Sequence, residues 1–241
     1  MQAAALSRPA VGPGTAAAKL ISRRRSAVRE AAADREPMPN AALPASAPDE
    51  ELPDELAQSL LQGVPEVALK QLGDPGPDRA QLDRLLHAAA AVPGRAATRP
   101  WRLVLVPTHK RAQLAEAFAA ARLEREPAAR PLDLALARQQ AFRAPLLMLA
   151  VARLAPEGSS VPSLQRAVSL GCALGNMLLA AHGMGFGSGL SGGPVMGAPA
   201  LRALFRLGAS EQAACFLHVG TVRANRPGRI RPRMEDFLSE L

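Results

Sequence analysis

Tyrosine is absent from this 241-residue chain, tryptophan occurs once, and lysine only at Lys19, Lys70 and Lys110, so 26 of the 29 basic residues are arginine. Together with abundant alanine, proline and glycine, these shortages read as GC-rich codon usage. The formal charge of +8 is then a by-product of composition. A basic balance alone is only a footprint of nucleic-acid binding, and nucleic acid is not among the expected partners. Cysteine is equally scarce. Cys172 and Cys215 form no C-x-x-C pair and have no clustered histidines, so no zinc site is suggested, and two lone thiols suit a reducing, cytoplasmic setting. Long apolar runs are missing too. The longest, Leu170 to Ala181, contains Gly175 and Asn176 and is too short to span a bilayer, so a soluble protein without a membrane partner is expected.

What is present is enough for a core. Hydrophobic residues make up 48% and charged residues 21%, which excludes a wholly disordered chain. Residues 1–40 carry seven basic side chains against three acidic ones, with little apolar periodicity. Disorder is expected there. The stretch lacks the apolar h-region of a secretory signal. Its arginines and serines are compatible with a transit peptide, but it reads as a dispensable extension, with Met38 available as an alternative start. A Pro- and acid-rich linker, Ala41 to Pro53, leads into a body over 54–241.

In the body, Asp54 can cap a short helix carrying Leu56, Leu60 and Leu61. Asp74-Pro-Gly-Pro77 is a turn, after which Asp78 caps a helix with Leu82, Leu85, Leu86 and Ala89 on one face. Trp101 to Val106 reads as a strand, Thr108 opens a helix reaching Leu123, and Leu132 to Phe142 forms another. Leu146 to Ala152 is apolar without a break, as expected of a strand buried on both faces. The longest helix is Val161 to His182, followed by a glycine-rich segment over 183–193. A short helix, Ala200 to Phe205, and a strand, Ala214 to Val219, close the body. Helices and strands mix without a βαβ repeat, so the fold class is α+β.

Chemical motifs are sparse. Gly183, Gly185, Gly187 and Gly189 suggest a dinucleotide loop, yet such a loop needs a strand before it, and here a helix precedes. These glycines better serve to end that helix and to let backbones pass closely. Gly189-Leu-Ser191-Gly-Gly193 matches G-x-S-x-G, with His218 and Asp236 downstream. A nucleophile elbow needs a strand before the serine and a helix after it, and Pro194 blocks that helix. His87, His109 and His218 are read as surface or satisfied core residues. His182 sits where a helix dipole favours a cation.

The order of pieces along the body carries more. Ala91-Val-Pro93 with Arg99-Pro-Trp101, Phe142-Arg-Ala-Pro-Leu146, Ser169-Leu-Gly171-Cys172-Ala with Asn176, Leu179, Ala180-Ala181 and Gly185-Phe-Gly187, Phe216-Leu-His-Val-Gly220-Thr221, and Asp236-Phe-Leu238 occur in one sequence. Over about Asp54 to Leu241 this resembles the small bacterial nitroreductases, FMN-dependent NAD(P)H oxidoreductases. The resemblance implies a central mixed or antiparallel sheet flanked by helices, an intertwined homodimer, and FMN at the subunit interface. It also implies hydride passing from NAD(P)H through FMN to nitro compounds, quinones or similar acceptors. By alignment, the cofactor positions fall on Glu66, Val67, Ala68, Arg95, Ala180, Ala181, Gly185, Ser191 and Gly192; no catalytic proton donor and no metal ligand is implied.

Several of those positions depart from the family pattern. Glu66-Val67-Ala68, or Val64-Pro65-Glu66, stands where the family has R-x-S or R-R-S; Arg24-Arg25-Ser26 lies too early to substitute. Gly94-Arg95 replaces Asp-His, and Leu190-Ser191-Gly192-Gly193 replaces W-R-[ST]-G. Each missing charge-assisted hydrogen bond is worth about 1.5–3 kcal/mol, so losing two or three would weaken FMN on the order of 10³-fold or more. Arg95, Arg99, Arg223, Arg226 and Arg229 are the arginines available to compensate. The alternative is a family member without FMN, acting as a dimeric scaffold or ligand-binding protein.

Overall fold

A computed structural model describes residues 61, 67–92, 99–154, 161–224 and 233–240. All of them fall within the unit Leu52–Leu241. Expectations for residues 1–53, and for the helix opened by Asp54 apart from Leu61, lie outside the described residues.

The elements run β1 (Leu72–Gly73), α1 (Arg79–Ala90), β2 (Trp101–Leu105), α2 (Arg111–Arg125), α3 (Pro131–Gln139), β3 (Leu146–Arg153), α4 (Ser163–Gly183), β4 (Gly187–Ser191), α5 (Pro199–Leu204) and β5 (Glu211–Val222). Local chemistry explains the helix ends. Asp78 accepts from the Gln81 N–H at 2.8 Å, while Gln81 accepts from the Asp78 N–H at 2.9 Å, a reciprocal capping box. Gly185, at φ +83°, ends α4. Its N–H reaches the His182 carbonyl at 2.8 Å, and Phe186 N–H reaches Ala181 at 2.9 Å. That is the Schellman pattern, which needs a left-handed residue at this place.

The sheet is antiparallel throughout, in the order β1-β5-β3-β2 with β4 also paired to β5. The unbroken apolar run of β3 follows from helices on both faces. Leu147, Leu149 and Val151 join Leu114 and Phe118 of α2, Leu201 of α5 and Phe216. Leu146, Met148, Ala150 and Ala152 join Leu85 of α1 and Leu170, Ala173 and Met177 of α4. Arg111 and Arg166, each 4% exposed, also belong to this interior. Arg111 donates to the carbonyls of Val106, Ala141 and Pro145 at 3.0, 2.7 and 2.9 Å; Arg166 donates to those of Val161 and Arg153. Each guanidinium thereby ties together backbone carbonyls from more than one segment.

Three expectations are corrected. Thr108 opens a 3-10 turn, and the α-helix begins only at Arg111. The helix expected to run to Phe142 becomes a 3-10 turn after Gln139. The segment Gly187–Ser191, read as a glycine-rich exit, is a strand; it has no β-branched residue, and its partner β5 supplies the order. In addition, α4 is 21 residues long and, by length and composition, apolar enough to cross a bilayer, longer than the run its sequence suggested. In this fold Leu170, Leu174 and Met177 on its inner face are buried against the sheet.

Gly220 sits where β5 passes between Pro145 and β1. A Cβ there would stand 2.7 Å from Pro145 Cδ and 2.9 Å from the Gly73 carbonyl oxygen. Gly220→Ala is expected to cost about 1–3 kcal/mol, read as a lower urea midpoint. An unchanged midpoint would mean that β1 is not held this closely.

Candidate flavin site

Strand β4 organises the positions singled out from the sequence. Its register sets Gly189 beside His218 and Ser191 beside Phe216, so alternate residues 187, 189 and 191 share a face with His218. Across that face lies the segment before β1. A Cβ on Gly187 would meet Leu72 at 2.8 Å and Val67 at 3.2 Å, and one on Gly189 would meet Leu69 at 2.8 Å. The two glycines leave room here for the side chains of Val67, Leu69, Leu72 and Val222, which pack over the strand. The structure thus brings Val67 and Leu69 to β4, whose last residue is Ser191. Ala68 ends as the cap of a 3-10 turn, its carbonyl accepting from Gln71 at 2.7 Å.

Other aligned positions fare differently. Gly192 is exposed, with only ordinary contacts around its Cβ direction, and Gly193 at φ +100° has open space. Ala180 is half-buried. Ala181 is fully buried and belongs to the α4 core stripe, and Gly185 terminates that helix. Glu66 and Arg95 lie outside the described residues. So do Arg226 and Arg229. Arg99 is exposed beside the start of β2. Arg223, just past β5, rests against Gly73 and shares a cleft of about 280 Å³ with Asp74, Thr108, Arg111 and Phe142.

His218, read from the sequence as a surface or satisfied core residue, is paired with a serine. Ser191 Oγ and His218 Nε2 are 2.7 Å apart. His218 is 2% exposed, and its Nδ1 has no hydrogen-bond partner among the described residues. Burial, with Arg143 and Arg111 close by, pushes its pKa down to about 4. A signal for this did exist, since Ser191 of the G-x-S-x-G match was considered above together with His218 downstream of it. The hydrolase reading fails on the same geometry. Asp236 accepts from the Arg233 N–H at 2.9 Å and does not orient the imidazole, while two nearby cations oppose the imidazolium a nucleophile–base pair must form.

Other polar side chains have structural partners. Trp101 Nε1 donates to Ser169 Oγ at 3.1 Å, joining β2 to α4, and Asn176 Nδ2 donates to the Ala88 carbonyl at 3.2 Å, joining α4 to α1. Among the described residues, no group of three or more His, Cys, Asp or Glu could hold a metal ion.

Known proteins align with this arrangement. The Escherichia coli (strain K12) protein provisionally named NAD(P)H nitroreductase YdjA is 31% identical over 153 residues, covering 63% of this chain and 81% of its own. The fold matches a nitroreductase-like family protein from Bacillus cereus with a TM-score of 0.65 at 16% identity, covering 76% of this chain and 94% of that one. It also matches the FMN-dependent nitroreductase NfnB of Mycobacterium smegmatis, solved in complex with NADPH, with a TM-score of 0.59 at 16% identity over 78% and 99% of the two chains. The model of the nitroreductase family matches residues 70–221. With that match spanning more than half its length, on an antiparallel sheet flanked by helices, the chain belongs to the nitroreductase family.

Proposed function

We propose that this protein is a flavin-dependent oxidoreductase of nitroreductase type, passing hydride from NAD(P)H through FMN to nitro compounds, quinones or similar small acceptors. The observation that carries this reading is the packing of Val67–Leu69 across β4, which gathers two of the segments aligned with the family's cofactor contacts. FMN, when bound, supplies the hydride-accepting chemistry. The described residues fit part of its needs. Ser191 offers a hydroxyl, Gly192 and Gly193 offer open backbone, and Arg223 offers a guanidinium at the end of β5. Val67 and Ala68 bring no cation, which is the specific observation favouring the second reading, a family member without flavin.

A homodimer is part of the proposal. On α4, Leu164 is 75% and Val168 58% exposed, and Gly171 and Gly175 have nothing within 4 Å of their Cβ directions. Such a stripe suits close packing against a second copy. A cytoplasmic setting suits the exposed free thiol of Cys172.

Freshly purified protein should show a flavin spectrum and release near-stoichiometric FMN on denaturation. Turnover of nitroaromatics or quinones with NADH or NADPH should then follow. A protein that stays colourless after incubation with excess FMN rejects the enzyme and leaves the dimeric scaffold or ligand-binding protein.

A further inference from the structure

The Ser191–His218 contact leaves an imidazole nitrogen inside the protein with no partner among the described residues. Two neutral tautomers are available to it. With the proton on Nδ1, Nε2 accepts from the serine hydroxyl, and a buried N–H points at nothing. With the proton on Nε2, the imidazole donates to Ser191 Oγ, and Nδ1 keeps a lone pair. The surroundings decide between them. Arg111 of α2 and Arg143, just before β3, act on this ring as cations, and a positive field favours a lone pair over an N–H dipole. Arg111 cannot relax the field, because its guanidinium is fixed on three carbonyls. An orphaned buried donor is also expensive to leave unmade.

Once Nε2–H donates to it, Ser191 Oγ is an acceptor toward the interior, and its own hydrogen is free to turn elsewhere. Ser191 is half-buried, not sealed, and is followed by the exposed Gly192 and Gly193. We propose that His218 is a positioning residue that fixes the Ser191 hydroxyl as a hydrogen-bond donor toward bound FMN. This rests on the flavin reading above and adds to it a residue outside the family-aligned positions. It also gives the loop a polar contact where the family's arginine is replaced.

The test combines FMN titration by flavin fluorescence with ¹⁵N NMR of the His218 ring. Ser191→Ala should weaken FMN about tenfold or more, as expected when a hydrogen bond to a charged or strongly polar acceptor is lost. His218→Met should do the same. His218→Gln, whose Nε2 amide can reproduce the donor, should stay within about threefold of the wild type, a rescue that a merely space-filling role would not give. The ring spectrum should place the proton on Nε2. Unchanged FMN affinity in Ser191→Ala, or a proton found on Nδ1, overturns the inference and leaves the flavin reading standing. Failure of the wild type itself to take up FMN rejects both, and is seen before any variant is compared. If His218→Met does not fold by circular dichroism, the Ser191→Ala titration and the ring spectrum still decide.

Discussion

Replacing Phe216 with alanine is expected to lower unfolding free energy by about 3–5 kcal/mol, a large share of the roughly 5–15 kcal/mol that holds a typical domain together. Phe216 is 1% exposed. Its ring meets Phe118 edge-on at 5.4 Å and 78°, and Phe205 at 6.0 Å and 61°. Half of the chain's six phenylalanines therefore meet at one point between the sheet, α2 and the turn after α5. The same cluster mixes alanines, Ala115, Ala117, Ala121 and Ala213 among them, with larger side chains such as Leu114, Leu147, Leu149 and Leu201. The alanines cannot swing in to fill the hole, so part of the cavity persists. Urea denaturation of Phe216→Ala measures it, with Phe142→Ala, a ring 59% exposed, as the control expected to fall within about 0.5 kcal/mol. A loss below about 1 kcal/mol at Phe216 would show that this cluster is not rigidly packed.

The second large effect is on pH. His218 is held neutral in the fold, its pKa pushed from 6.5 down to about 4 by burial and by Arg143 and Arg111. In the unfolded chain the same imidazole takes a proton near 6.5. Between those values the unfolded state binds more protons, so stability rises with pH across the window and falls as the solution is acidified from 6.5 toward 4. The size is on the order of 3 kcal/mol. Glu211 acts in a lower window. Arg102, donating at 2.8 Å through both Nε and Nη2, and Arg153 at 3.3 Å hold its carboxyl near 2. Its contribution is present above about 4.5 and lost as pH falls toward 2. Urea midpoints between pH 6.5 and 4.5 therefore isolate the histidine. The wild-type slope should vanish in His218→Gln; a wild-type curve already flat over this range would mean that the imidazole protonates without leaving the fold.

Much of the architecture is legible locally. The capping pair Asp78–Gln81, the glycine at the end of α4 and the apolar run of β3 are short-range patterns, and each produced the element expected of it. The family resemblance rested on pieces in order, several of which proved to have packing roles, such as Trp101 with Ser169 and Asn176 with the backbone of α1. Composition gave no sign that two arginines, Arg111 and Arg166, are buried; a guanidinium surrounded by backbone carbonyls can be satisfied without a carboxylate.

Capping, helix termination and the unbroken apolar run of β3 lie in residues within a few positions of one another, and so the sequence determined them. The strand character of Gly187–Ser191, the closeness of Val67 to Gly187, and the contact between Ser191 and His218 were decided by tertiary structure alone. Each depends on the register of β4 against β5, twenty-seven residues apart at the serine–histidine contact. No local propensity encodes that register, because a glycine–serine strand has no side-chain pattern of its own and takes its order from the partner it pairs with.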